Sequence, residues 1–229
     1  MPQVFHPSTN TISRVSIYGS FLALIVLSFA LYWVGESPYY TEVNVPVDQT
    51  VPFSHRHHAG ELGIDCRYCH TSVETSSFAG IPPTKTCMTC HSQIWTNSEM
   101  LEPVRLSYAT GKSLVWNRVN ALPDFVYFNH SIHVHKGVGC TTCHGPVADM
   151  PLTWKANTLL MGWCVECHRA PEKYVRPRAE VFNARYEPPS TFHPVTFRGR
   201  KYYEQESMGR ELVKAYGVQS LTTCYTCHR

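Results

Sequence analysis

The stretch Gly63–Glu74, GIDCRYCHTSVE, sets two cysteines and a histidine within five consecutive positions: Cys66, Cys69 and His70. Alone, a Cys-x-x-Cys pair suits three chemistries, because two sulfurs three residues apart can share a metal ion, close a small-ring disulfide, or add to the two vinyl groups of a porphyrin. Repetition decides between them. The pattern recurs as Cys87, Cys90 and His91; Cys140, Cys143 and His144; Cys164, Cys167 and His168; and Cys224, Cys227 and His228, which uses all ten cysteines of the 229-residue chain. A disulfide framework would scatter its cysteines, and a zinc ribbon would pair one CxxC with another and need no histidine directly after either. Five CxxCH units with no cysteine left over read as five sites for covalently bound haem c, in which the sulfurs become thioethers and the next residue delivers its imidazole to the iron.

Working outward, FSHRHHAGELGIDCRYCH (Phe53 to His70) parallels FNHSIHVHKGVGCTTCH (Phe128 to His144). Each copy places F-x-H-x-x-H seven or eight residues before a CxxCH, and a further CxxCH follows. His55 and His58, like His130 and His133, stand three apart, so on a helical turn each pair shares a face and reaches two different irons. These four are the expected distal ligands, and a second axial imidazole makes an iron low-spin and closed to substrate. His57 and His135 have no counterpart in the other copy and read as surface residues. One haem then needs another ligand, for which Met150, Met161, Met208 and His193 are open. Met150 leads because it lies in the VADMP turn beside the third motif, and a thioether ligand would raise that haem's potential.

Val15–Val34, VSIYGSFLALIVLSFALYWV, is an uncharged run of 20 residues, enough for a helix of about 30 Å. Arg14 precedes it, whereas Glu36, Glu42 and Asp48 follow with no Lys or Arg until Arg56. That asymmetry predicts a single-pass anchor in the cytoplasmic membrane, with a cytoplasmic N-terminus and a periplasmic haem domain. The run is longer than a signal-peptide core and Ser28–Ala30 makes a weak cleavage site, so the anchor is expected to be retained. Tyr32 and Trp33 suit its interfacial end.

The expected organisation is therefore a cytoplasmic N-terminus (1–14), a transmembrane anchor (15–34) and a pentahaem cytochrome c domain (35–229). The last is divided into dihaem repeats at about 51–95 and 126–172 and a terminal haem unit at about 200–229. About 39 residues per haem scarcely bury a core of their own, so the porphyrins must serve as the core. The fold class follows: short α-helices and loops around haem, with little β structure. QESMGRELVKAYGV (Gln205 to Val218) is the expected long helix of the tail. Arg67, Lys85, Arg169, Arg176 and Arg178, near the motifs, are expected partners for haem propionates. The net charge of +3 turns slightly acidic once five haems with ionised propionates are added, and it gives no reason to expect nucleic acid as a partner.

The single span followed by FSHRHHAGELGIDCRYCHTSVE, IPPTKTCMTCHSQIW, WNRVNALPDFVYFNHSIHVHKGVGCTTCHG, MGWCVECHR and GRELVKAYGVQSLTTCYTCHR resembles the pentahaem cytochrome c subunits of bacterial alternative complex III, a quinol:electron-acceptor oxidoreductase. The resemblance implies an iron–sulfur subunit of molybdopterin-enzyme type, polytopic quinol-binding membrane subunits and a monohaem cytochrome c as partners, together with membrane lipid. A hexahaem relative in the related quinone reductase complex of sulfate reducers carries one haem more. The expected function is relay of single electrons within a respiratory or photosynthetic complex, by a subunit that is not a catalyst alone. The competing reading is a self-sufficient quinol dehydrogenase with one span and several haems. It is disfavoured because 31 residues separate Val34 from Cys66 and no haem motif stands beside Glu36, Glu42 or Asp48.

Overall fold

Helix α1 (Ser8–Glu36) runs 29 residues and buries none of its side chains. It is long and apolar enough to cross a membrane by length and composition. It outruns the uncharged stretch at both ends, because nothing between Ser8 and Arg14 breaks a helix, and it stops only where Ser37 turns extended ahead of Pro38. A short helix, α2 (Pro38–Thr41), follows. The computed structural model describes residues 4–228. These fall into two units, the first ending at Val43 and the second beginning at Asn44.

The second unit is built from short helices. A π-helical turn (Arg56–Glu61) carries the first histidine cluster, and the motif helices are α3 (Cys66–Cys69) and α4 (Thr84–His91). The segment 92–124 holds α5 (Glu102–Thr110), whose Val104 packs with Val51 and Leu101 against Cys87 and Met88. Next come α6 (His130–His135), α7 (Cys140–His144) and α8 (Met161–Arg169). A two-stranded antiparallel hairpin, β1 (Val195–Phe197) and β2 (Arg200–Tyr202), pairs Val195 with Tyr202. Then α9 (Gln205–Tyr216) ends on Gly217 in the left-handed conformation, and α10 (Cys224–Cys227) closes the described chain.

Mostly helix and loop with one hairpin is the arrangement expected of a cytochrome whose haems fill its interior. The polypeptide's own core is thin: the buried clusters among the described residues are Val175, Tyr202, Met208 and Leu212; Val51, Leu101 and Val104; and Val73, Val134 and Val181. A domain of this length ordinarily buries one continuous core, so these separate patches leave much of the packing to the cofactors. The strongest patch lies under α9, where Met208 and Leu212 are wholly enclosed. A Cβ at Gly209 would run into the Glu172 carbonyl, so glycine sets how closely α9 approaches the 171–173 turn.

Candidate functional site

Every CxxCH stands on one turn of helix, which turns both sulfurs and the histidine towards a common side. No disulfide joins the ten cysteines, which are half-buried except for exposed Cys90 and Cys224.

Three pairs of imidazoles face each other at one characteristic distance. The ring centroids of His58 and His91 are 6.2 Å apart, those of His130 and His144 6.4 Å, and those of His133 and His168 6.1 Å. An iron held between two imidazoles would separate their centroids by about 6.2 Å, from two metal–nitrogen bonds of about 2.0 Å and two ring radii of about 1.1 Å. The residues therefore fit bis-histidine haem. The fourth expected pair is His55 with His70, whose charge acts on His55 more strongly than that of any other neighbour. Within each copy of the repeat the first histidine neighbours the histidine of its first motif and the second histidine that of its second.

Ligand orientation is fixed from behind. Nδ1 lies against a main-chain carbonyl in His58 (Ser54, 2.9 Å), His70 (Gly80, 2.6 Å), His91 (Ile94, 3.2 Å), His130 (Ser77, 2.8 Å), His133 (Asn129, 2.7 Å) and His228 (Phe125, 3.1 Å). A carbonyl only accepts, so Nδ1 carries the proton and the Nε2 lone pair is left for iron. His55 instead meets the Thr153 hydroxyl at 2.9 Å, and His144 the Asn120 side-chain amide at 3.2 Å. None of these partners has a sequence signature of its own. Some brace the two copies against each other: His130 leans on the loop after the first motif, and His55 on the loop after the third. The Arg56 N–H also donates to the Met150 carbonyl at 3.0 Å.

Burial favours the neutral form of four of these imidazoles. His55 and His144 are pulled down to about 4, chiefly by burial and then by neighbouring histidines, and His58 and His133 are lowered for the same first reason. Cys143 is pushed up to about 12 and Cys167 to about 11, again chiefly by burial. His57 differs, sitting on the surface 3.0 Å from Glu61.

The five motifs form a row. Cys87 acts on Cys69, Cys66 and Cys140 act on each other, Cys143 lies in the field of Cys164 and Cys167, and Cys164 in that of Cys227. The spatial order is thus second, first, third, fourth, fifth, and the exposed cysteines Cys90 and Cys224 belong to its two ends.

At the fifth motif, His228 packs against the Phe125 ring at 5.7 Å, and the Tyr127 N–H donates to Cys227. Met150, the foremost candidate by sequence, is 0% exposed and has its methyl next to Gly145, beside the third motif. Its position speaks for packing there, since closeness in sequence drew it to the third motif rather than to the fifth. Met208 belongs to the α9 core, and His193 lies in an exposed loop 3.8 Å from Glu187. Met161, 69% exposed, opens α8 one turn before Cys164, the residue that senses Cys227.

Three of the arginines expected to hold propionates also have protein partners. Arg67 pairs with Asp65 at 2.8 Å and lies over Phe182, Arg178 lies over Tyr216 and donates to the His135 carbonyl, and Arg176 is buried against α7.

No family model matches the chain. Among curated proteins it is similar to the multihaem cytochrome c subunit of menaquinone reductase from Nitratidesulfovibrio vulgaris, with 30% identity over 169 residues, covering 65% of this chain and 79% of that one.

Proposed function

The chain belongs to the family of multihaem cytochrome c subunits that includes the one from menaquinone reductase, and from that premise we propose that it is a pentahaem electron relay, tethered by α1, in a quinol-oxidising membrane complex of the alternative complex III type. Covalent haem c and membrane-associated electron transfer as a subunit come with the family. The finer reading is that five haems pass single electrons from a quinol-oxidising module to a periplasmic acceptor. Its partners are then an iron–sulfur subunit of molybdopterin-enzyme type, polytopic quinol-binding subunits and a monohaem cytochrome c. The charge asymmetry around α1 supports a cytoplasmic N-terminus.

The observation that carries this reading is the set of facing imidazoles at 6.1–6.4 Å. Bound haem supplies reversible one-electron chemistry at iron. The chain's part would be to hold four of the irons between two imidazole nitrogens each, leaving those four no open coordination position for substrate, and to fix ring orientation through Nδ1. Cys66, Cys69, Cys87, Cys90, Cys140, Cys143, Cys164, Cys167, Cys224 and Cys227 would carry the thioethers. His70, His91, His144, His168 and His228 are the proximal ligands, and His55, His58, His130 and His133 the distal ones. For the fifth iron Met161 is favoured over Met150, because it lies exposed on the turn that approaches Cys227. A row of motifs with exposed ends suits a conductor that takes electrons at one end and gives them up at the other.

The test is haem quantitation with EPR of the oxidised protein, and quinol turnover by the purified chain. Five haems per chain, four of them bis-histidine, and reduction by dithionite without appreciable quinol oxidation are expected. Three haems or fewer in mature protein would end the pentahaem reading. Quinol oxidation by the lone chain at the rate of the whole complex would replace the relay with the self-sufficient dehydrogenase.

A further inference from the structure

Arg176 is 6% exposed and lies behind the helical turn of the third motif. One terminal nitrogen donates to the Thr141 and Thr142 hydroxyls, the two residues between Cys140 and Cys143, at 2.8 and 3.2 Å. The other faces the main-chain carbonyls of Glu180 and Asn183 at 3.5 and 3.3 Å, and the guanidinium carbon sits 4.6 Å from the centre of the Tyr186 ring. The Arg176 N–H donates to the Gly137 carbonyl, which ties this strand of chain to the approach to the motif. A Cβ at Gly139 would run into the guanidinium carbon, so the residue before Cys140 leaves room for the cation.

The protein groups in direct contact with this buried cation are neutral. Among the described residues no carboxylate lies within ion-pair distance of Arg176. Glu180, which acts on it through space, has its Oε2 engaged by the Asn183 amide at 2.6 Å. Burial pushes the Tyr186 hydroxyl up to about 12, so that ring is neutral at physiological pH. Burial also lowers Arg176 itself, yet a guanidinium stays protonated under these conditions. Hydroxyl and carbonyl partners solvate the guanidinium without cancelling its charge.

We propose that Arg176 is a fixed cation that holds the reduction potential of the haem at Cys140–His144 above that of the neighbouring bis-histidine haems. The inference rests on the haem reading of that motif. Reduction removes one positive charge from the iron centre, so a permanent positive charge behind the motif favours the ferrous state. Water does not screen a charge buried in this way. The third motif lies in the middle of the row, where a raised potential makes an electron well between the two ends.

The experiment is redox titration of mature holoprotein, following the low-spin EPR signal assigned to this haem by its loss in His130→Ala. Arg176→Met, and independently Thr142→Asp, which sets a carboxylate on the guanidinium without removing it, should each lower that midpoint. The expected change is about tenfold in the reduction equilibrium, about 59 mV for one electron. Arg176→Lys, which keeps the charge, should stay close to wild type. If Arg176→Met does not mature with full haem content, Thr142→Asp decides. A wild-type midpoint in a fully loaded neutralising variant, or a fall in Arg176→Lys as large as in Arg176→Met, would overturn the inference. Failure of His130→Ala to abolish any low-spin signal would instead break the ligand assignment, a different outcome with a different spectrum.

Discussion

The two copies of F-x-H-x-x-H have the same interior geometry and different surroundings. In the first, Phe53 stacks on His58 at 4.4 Å and meets His55 edge-on at 5.0 Å; in the second, Phe128 stacks on His133 at 4.4 Å and meets His130 edge-on at 4.8 Å. In both, the second histidine is tied to the carbonyl four residues back. Yet the first copy is a π turn and the second an α-helix. The first has one residue more between its second histidine and the following cysteine. The chain absorbs that residue by widening the turn, with the Leu62 N–H reaching back five residues to the His57 carbonyl. Ligand wiring is therefore carried by the repeat, while the environment of each iron comes from what packs behind it. In the first copy that is the 147–153 segment, met through the Met150 carbonyl and the Thr153 hydroxyl, with the exposed Arg56–Glu61 pair beside it; in the second it is Val134, Val181 and Arg176.

The largest effects should come from removing distal ligands, and they should separate the copies. Replacing His55, His58, His130 or His133 with alanine is expected to convert one haem from low-spin to high-spin and open its reduced form to carbon monoxide, as EPR and difference spectra would register. Because the second copy sits on Val134 and against the loop at Ser76 and Ser77, its two variants should also mature poorly and melt at lower temperature. Equal yields and melting temperatures across the four variants would show that the surroundings contribute little.

A smaller effect should come from the turns themselves. Asn129 caps α6 by accepting the Ile132 N–H at 3.3 Å, and Asn129→Ala should cost about 1 kcal/mol in chemical denaturation. Its counterpart Ser54 accepts the His57 N–H at 3.1 Å on a more exposed, wider turn, so Ser54→Ala should cost less. The reverse order would mean that the π turn is the tighter of the two.

Much of this was legible because covalent and coordinate chemistry demands fixed spacing: the ten cysteines, the five histidines that follow them and the two histidine pairs all declare themselves in the sequence. The Gln205–Tyr216 helix was legible too, two residues shorter than the expected Gln205–Val218, from its apolar periodicity, since Met208 and Leu212 fall on one buried face. What stayed hidden depends on distant contacts. The carbonyls of Gly80, Ser77 and Ile94 that orient the imidazoles belong to loops where any residue presents the same group, so no letter marks them. Arg176 read as a propionate partner because it lies near the motifs in sequence; the Thr141 and Thr142 hydroxyls that receive it carry little signal. Met150 lies beside the third motif in space as in sequence, and no spacing in the sequence marks which methionine would serve the fifth iron.

The smallest predicted effect distinguishes the copies at a single atom. His130 Nδ1 bonds a main-chain carbonyl, which no substitution of Ser77 removes, whereas the equivalent His55 Nδ1 bonds the Thr153 hydroxyl. The hydroxyl anchors the His55 proton and adds to the basicity of the opposite nitrogen. Thr153→Val keeps the side-chain shape and deletes this partner in a place where burial already lowers His55. The ring should stay on the iron, so the low-spin signal persists, but weaker donation should raise the midpoint of the haem at His70 slightly, by less than the change expected at Arg176. Thr153→Ser restores the hydroxyl and should restore the potential. If Thr153→Val and Thr153→Ser titrate identically to the parent, orientation of His55 comes from Phe53 alone, and the two copies are closer in their ligand chemistry than their hydrogen bonds suggest.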